Sequence, residues 1–569
     1  MSAARASPPR VRGRALPRVF AALVCAAVSL AAGARAELRQ AIVASHPLAA
    51  QAGHDILRAG GSAIDAAIAA QWVLGLVEPQ SSGLGGGGFL LHWSEAERRV
   101  RSYDGRETAP AAARPERFLA ANGEPLGLRA AAASGLAVGV PGLVAMLEHV
   151  HRRHGRLPWA RLTEPALALA EQGYSVSPRL AAALTQAEHL DATARALWSG
   201  GDGRLLAPGE RAFNLEYAHT LRAIGRDGAE AFYRGALAEG IVRAVRTHAL
   251  PGDLALSDLA AYRAREREPL CGRYRRWRVC SAGPPSSGGL ALLQILGILE
   301  RTAFHRAAPF SPEAVHLFSE AARLAYADRA RYAADPDFVP QPLRALLAPS
   351  YLAHRAAAIG ERSLGRAQPG DPLRASAPLS YLPAPLGGTT HLSVVDAWGD
   401  AVALTSSVEQ PFGSGIAVGG FVLNSQLTDF AFEPRLGGRS VANRVEAGKR
   451  PRSSMTPTFV FDAQGRLAVV LGSPGGAVIP LYVARTLVAL LDWGLDPVAA
   501  VAAPHFGSTN GPTLIERDSA ALAWEDALRA RGHTIERAAM PSGLAVLARR
   551  GQGWQGAADP RRAGAVLGD

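Results

Sequence analysis

The segment Pro385-Leu-Gly-Gly-Thr-Thr-His391 holds the clearest chemical potential in the chain. Two glycines there end an irregular stretch, and two threonines open a β-type run. A cut between Gly388 and Thr389 would leave a threonine with a free α-amine. Such an amine has a reference pKa of about 7.7–8.0, so near neutral pH it can act as base for its own hydroxyl. The competing explanation is an ordinary strand threonine in an uncut loop. Other chemistries are poorly served. No serine sits in a GxSxG elbow. Gly83-Leu-Gly-Gly-Gly-Gly88 fits GxGxxG, but it follows a helical pattern and opens a strand, the reverse of what a dinucleotide turn requires. CxxC and HExxH are absent, and His151 and His154 lie three apart on a helix without a third ligand, so neither a metal nor an organic cofactor is indicated.

The elements that must position this junction can be read from periodicity. Residues 41–77 are predicted as two helices, the second capped by Ser62 with Asp65 in its first turn and Ile64, Ile68, Trp72 and Leu76 along one face. Phe89–Trp93 is expected as a strand, and residues 139–261 as mainly helical. Pro284–Gly289 should turn into further helix, and residues 361–388 read as an exposed connector. Beyond it, His391–Val395 and Ala401–Val408 form a strand pair, Thr456–Val460 and Arg466–Leu471 a second hairpin, and a helix follows Gly475-Gly476. The chain therefore reads as helix-rich before the connector and sheet-rich after it.

Composition bounds the class. The 569 residues are 48% hydrophobic and 19% charged, with 60 Gly and 39 Pro, as in a globular protein with ample core. The net charge of +12 owes half its size to six arginines in the first 36 residues. The rest are scattered rather than striped, which argues against a nucleic-acid partner. Residues 1–36 read as an export signal: a basic start, an apolar run from Val19 to Ala32 too short to be a comfortable membrane anchor, and Ala34-Arg35-Ala36 for cleavage. The mature protein is expected to be exported, periplasmic or secreted. Outside this leader only Cys271 and Cys280 remain. They frame a short hairpin, where a disulfide and two free thiols are both open.

Nine segments in shared order resemble the γ-glutamyltranspeptidase family. They are Gly60-Gly-Ser-Ala-Ile-Asp-Ala-Ala67, Gly83–Gly88, Asp104-Gly-Arg-Glu-Thr-Ala-Pro110, Gly139-Val-Pro-Gly142, Pro284-Pro-Ser-Ser-Gly-Gly289, Thr389-Thr-His391, Lys449-Arg-Pro-Arg-Ser-Ser-Met455, Gly472-Ser-Pro-Gly-Gly476 and Asp559-Pro-Arg561. The resemblance implies an α+β fold, the N-terminal-nucleophile hydrolase αββα four-layer sandwich. It also implies a precursor that cuts itself between Gly388 and Thr389 into a large chain, 37–388, and a small chain, 389–569, which stay together. Thr389 then matches the nucleophile, and Gly475 and Gly476 the oxyanion hole. Arg106, Ser453 and Ser454 match the groups that hold a substrate α-carboxylate, and Gln426 and Asp429 those at the α-amino end.

Two features depart from the best-known members. Ser407 and Glu409 stand where those have Thr and Asn; alternation puts both on one face, Ser407 keeping a hydroxyl for the nucleophile and Glu409 offering a second acceptor to an ammonium. The stretch from Phe430 to Lys449 is shorter than in members with a covering lid and holds no Tyr or Trp. The implied reaction is transfer of a γ-glutamyl group from glutathione or a similar donor to water, an amino acid or a peptide. The rivals are a glutaryl (cephalosporin-type) acylase of the same fold, which the carboxylates Asp429 and Glu409 disfavour, and an uncut, non-enzymatic exported binding protein.

Overall fold

The computed structural model describes residues 37–372 and 388–569. The expected export signal and most of the connector lie outside these residues.

Two antiparallel sheets form the centre. The first has seven strands in the order Ala565–Gly568, Ala41–Ala44, Gly388–Val395, Ala401–Glu409, Gly87–Ser94, Arg99–Gly105 and Arg265–Arg267. The second has six, in the order Gly553–Ala558, Ala545–Arg550, Leu467–Gly472, Thr458–Phe461, Trp277–Ser281 and Leu270–Tyr274. Alternation along each strand sorts side chains into layers. Ala41, Val43, Leu91, Trp93, Ala401 and Ala403 meet Phe459, Phe461, Val470 and Leu547 between the sheets. On the outer face of the first sheet, Ile42, Leu90, Leu392, Val394, Val402 and Leu404 pack against the helices Pro47–Arg58 and Ala63–Val77. Val460, Val469, Leu471 and Val546 of the second sheet face the helices Gly288–Leu299, Pro312–Tyr332 and Ile479–Leu491. Fully burying one such aliphatic side chain is worth roughly 1.5–3 kcal/mol, so three apolar layers of this extent dominate the folding free energy. This is the four-layer αββα arrangement.

At the start of the second helix the expected cap is present, its single apolar face is widened to the whole helix, and the state left open for the two cysteines is decided. Ser62 caps the helix Ala63–Val77 in a reciprocal box with Asp65. The helix is buried all round rather than along one stripe, as its apolar composition demands. Cys271 and Cys280 face each other across their hairpin and are bonded.

Three expectations are corrected. Ala41–Ala44 is a strand rather than the start of a helix, because a four-residue apolar run inserted between two strands buries both faces. Gly388 belongs to the nucleophile strand and not to the connector. The sheets are also not confined to the C-terminal part. Each takes strands from both sides of the connector, which is the physical reason a chain cut there would hold together.

Candidate active site

Thr389 is the second residue of the strand Gly388–Val395, whose first residues are paired on one flank only. The Ala41–Ala44 strand reaches no further than Leu392, whereas the Ala401–Glu409 strand runs alongside to Gly388. The first residues of the nucleophile strand therefore project past their neighbour into a cavity lined by Thr389, Ser407 and Glu409. A side chain at Gly388 would strike the Gln80 carbonyl oxygen at 2.2 Å, so the residue before the nucleophile has to be glycine.

The Thr389 hydroxyl lies 3.1 Å from that of Ser407, its direct cross-strand partner. Ser407 Oγ in turn donates to the Gly388 carbonyl oxygen, the carbonyl of the bond that would be cut, and accepts from the Glu409 amide at 2.9 Å. With its proton on Gly388, Ser407 can only accept from Thr389. One chain of hydrogen bonds thus draws the threonine proton away while polarising the carbonyl it would attack. Arg562 fixes the other side of the nucleophile by donating to the Thr389 carbonyl at 3.0 Å. A bulge between Ser407 and Glu409, with Glu409 at φ 81°, keeps both side chains on the cavity wall where simple alternation had placed them.

The second sheet supplies the opposite wall. Its Leu467–Gly472 strand runs into Gly475-Gly476, at φ 137° and 57°, and then into the helix Ile479–Leu491. The left-handed backbone at both glycines leads into a helix start, whose first amides have no carbonyl four residues earlier to bond. Gly476 lines the cavity, and Gly475 sits one residue behind in the turn. Ser453 and Ser454, in the loop leading to Thr458–Phe461, also line it.

At the far end stands Arg106, fully buried. Asp104 places it: its carboxylate accepts the Arg106 amide at 2.8 Å and is itself clamped by Arg267 and Arg450 at 2.7 Å each. Arg106 Nη2 donates to Asp429, which also accepts from Gln426 Nε2 at 3.1 Å. Among the described residues Arg106 Nη1 makes no hydrogen bond; it lies 3.6 Å from Glu107 Oε2. Glu409 is buried, and burial together with the neighbouring Asp429 pushes its carboxyl well up, toward the protonated form. This push works against the second negative charge expected from sequence at this end.

Beside Arg106, Glu107 is fully buried with neither carboxylate oxygen hydrogen-bonded, and burial raises it to about 8 despite Arg106 Nη1 at 3.6 Å. An acid raised on folding stabilises the native state below its unfolded pKa, and that contribution is lost as pH climbs through the folded value. The apparent melting temperature should thus fall between about pH 5 and pH 8, and Glu107→Gln should flatten that slope. Calorimetric scans of both proteins across this window check it; parallel slopes would contradict the assignment.

Nine of the ten catalytic and substrate-binding residues expected from sequence thus line one cavity, with Gly475 directly behind it. Cys271 and Cys280 lie elsewhere, in the second sheet. Two charged residues on the wall were not anticipated. Arg452 stands inside the quoted Lys449–Met455 motif, and Arg329 on the helix Pro312–Tyr332, in the charged run Asp328-Arg329-Ala330-Arg331 that gives no signal of a cavity-facing role. Away from the cavity, His316, Glu320 and His533 form a buried cluster. Its histidines bond one another at 2.7 Å, with Gly360 O and Thr513 as their outer partners.

A threonine opening a central strand of a four-layer αββα sandwich, with a hydroxyl relay behind it and helix-start amides opposite, defines the N-terminal-nucleophile class of acyl-transfer enzymes. Comparison with known proteins narrows the class. The gamma-glutamyltranspeptidase family model matches residues 49–569, and the chain belongs to that family. It is 35% identical over 542 residues to a glutathione hydrolase proenzyme of Bacillus subtilis, covering 93% of this chain and 91% of that protein. A protein of the same description from Escherichia coli is 38% identical over 484 residues, covering 82% and 81%. Among solved structures, a cephalosporin acylase from Bacillus halodurans superposes with a TM-score of 0.81 at 29% identity, covering 93% of this chain and 96% of that one.

Proposed function

We infer that this protein is a γ-glutamyltransferase and glutathione hydrolase that matures by cutting itself before Thr389. The observation that carries the assignment is the single cavity with a poised Thr389 at one end and the Arg106–Asp429 pair at the other.

Maturation follows from the hydroxyl relay. Thr389 Oγ attacks the Gly388 carbonyl carbon, Ser407 holds the carbonyl oxygen, and the Thr389 nitrogen leaves with a proton as the amide becomes an ester. Water then hydrolyses the ester, leaving Gly388 as a carboxylate and Thr389 with a free amine. Ser407→Ala removes the relay and should slow cutting by about one to three orders of magnitude, in line with general-base effects of this kind. Gel analysis of freshly purified protein over time measures it, and maturation at the wild-type rate would count against the relay.

In catalysis the freed amine takes the Thr389 hydroxyl proton as the oxygen attacks a γ-glutamyl amide. The Gly475 and Gly476 amides receive the oxyanion. The amine returns the proton to the departing nitrogen, so that glutathione releases cysteinylglycine. The acyl ester is next taken by water, an amino acid or a peptide amine. Arg106, with Ser453 and Ser454, takes the α-carboxylate, and Asp429 with Gln426 takes the ammonium. Rapid quenching with glutathione tests this directly: the small chain should gain one glutamyl mass on Thr389, and a chain that never carries it would refute the covalent route. Export of the mature enzyme is the location this function and the leader support.

A glutaryl acylase of the same fold gains weight from one observation. The pairing of Asp429 with Arg106, together with the upward push of burial on Glu409, weakens the repulsion that a second carboxylate end would meet.

A further inference from the structure

Three arginines, Arg106, Arg329 and Arg452, line the cavity, all buried. Facing them are two carboxyls: Asp429, hydrogen-bonded to Arg106, and Glu409, driven toward neutrality by burial. Neither Arg329 nor Arg452 makes an ion pair among the described residues. Arg329 bonds the hydroxyls of Ser287 and Ser454, and its Nη1 has no partner. Arg452 donates from its side chain only a long contact, 3.4 Å from Nη1 to the Ala330 carbonyl, while Nε and Nη2 have no partner.

Buried charges are normally paired, and an unpaired one costs several kcal/mol. Two adjacent guanidiniums with orphaned N–H groups repel one another as well. Burial and this mutual repulsion lower Arg452 well below its usual value, and burial lowers Arg329. A zwitterionic glutamyl end brings one carboxylate and one ammonium, which Arg106 and Asp429 already match. It adds no net charge and leaves the Arg329–Arg452 face uncompensated. A carboxylate without an accompanying ammonium would supply what this wall lacks.

We propose that Arg452, supported by Arg329, builds a second carboxylate position in the acyl pocket and so sets its tolerance for ω-carboxyacyl groups that carry no α-ammonium. Arg452 is then a specificity-determining residue rather than a packing residue. The proposal rests on the cavity being the acyl pocket of the proposed reaction.

The test is calorimetric titration of the matured protein with glutarate and with L-glutamate. The two differ only in the ammonium. Arg452→Leu should raise the ratio of the glutarate Kd to the L-glutamate Kd at least tenfold. Arg452→Gln, which keeps a donor without the charge, should give a smaller rise in the same direction and covers the case in which the leucine variant does not fold. An unchanged ratio in the folded variant, or a wild-type protein that binds L-glutamate but not glutarate, would overturn the proposal. Turnover of γ-glutamyl anilide is measured alongside. Its absence would sink the proposed reaction, while the two binding ratios would still report on Arg452.

Discussion

Thr389→Ala is expected to yield an uncut chain with no measurable γ-glutamyl turnover. The substitution deletes the oxygen that attacks in both maturation and catalysis, and it leaves the neighbouring hydroxyl of Ser407 in place. Loss of a nucleophile in a comparable acyl-transfer site costs about six orders of magnitude in kcat. Here the effect is compounded, because without cutting there is no free amine to serve as base. Thr389→Ser separates the two roles. It keeps the hydroxyl and should mature, with reduced efficiency since the methyl group no longer fixes the rotamer. Maturation of the alanine variant at the same bond would place the nucleophile elsewhere.

Arg106→Gln should raise KM for a γ-glutamyl anilide by about two to three orders of magnitude and change kcat far less. The fork contacts the end of the donor remote from the reacting carbon, so its loss removes binding common to ground and transition states. Truncating one side of a buried, hydrogen-bonded charge pair commonly costs 2–5 kcal/mol, and Asp429 would be left without its guanidinium partner as well. Arg106→Lys restores charge without the planar fork and should recover only part of the loss. Steady-state kinetics on the three proteins decide the matter. A KM within threefold of wild type in the glutamine variant would show that the α-carboxylate is held by other groups.

Much of the site was legible in the sequence because its residues fall in short ordered motifs. Each motif has a local physical meaning that survives inspection. Asp104 clamps the arginine two residues on, Gly475-Gly476 supply left-handed backbone before a helix, and the cross-strand pairing of Ser407 with Thr389 follows from a hairpin whose turn residues were recognisable. What escaped depends on three-dimensional assembly. Ala41–Ala44 shows the same short apolar run whether helix or strand, and only insertion between the Ala565–Gly568 and Gly388–Val395 strands decides it. The upward push on the Glu409 carboxyl arises from burial beside Asp429, twenty residues along the chain and brought near by the turn Gln426–Asp429. The same holds for Arg329 and Arg452, whose sequence neighbours give no hint that both face one cavity.

Intact mass of the purified, signal-processed protein under denaturing conditions tests the central claim most directly. With 59.5 kDa spread over 569 residues, cutting before Thr389 predicts two chains of roughly 37 and 19 kDa, the smaller beginning with threonine. A single species near 56 kDa, again scaled from the mean residue mass, would leave Thr389 without its amine and contradict the assignment of an N-terminal nucleophile.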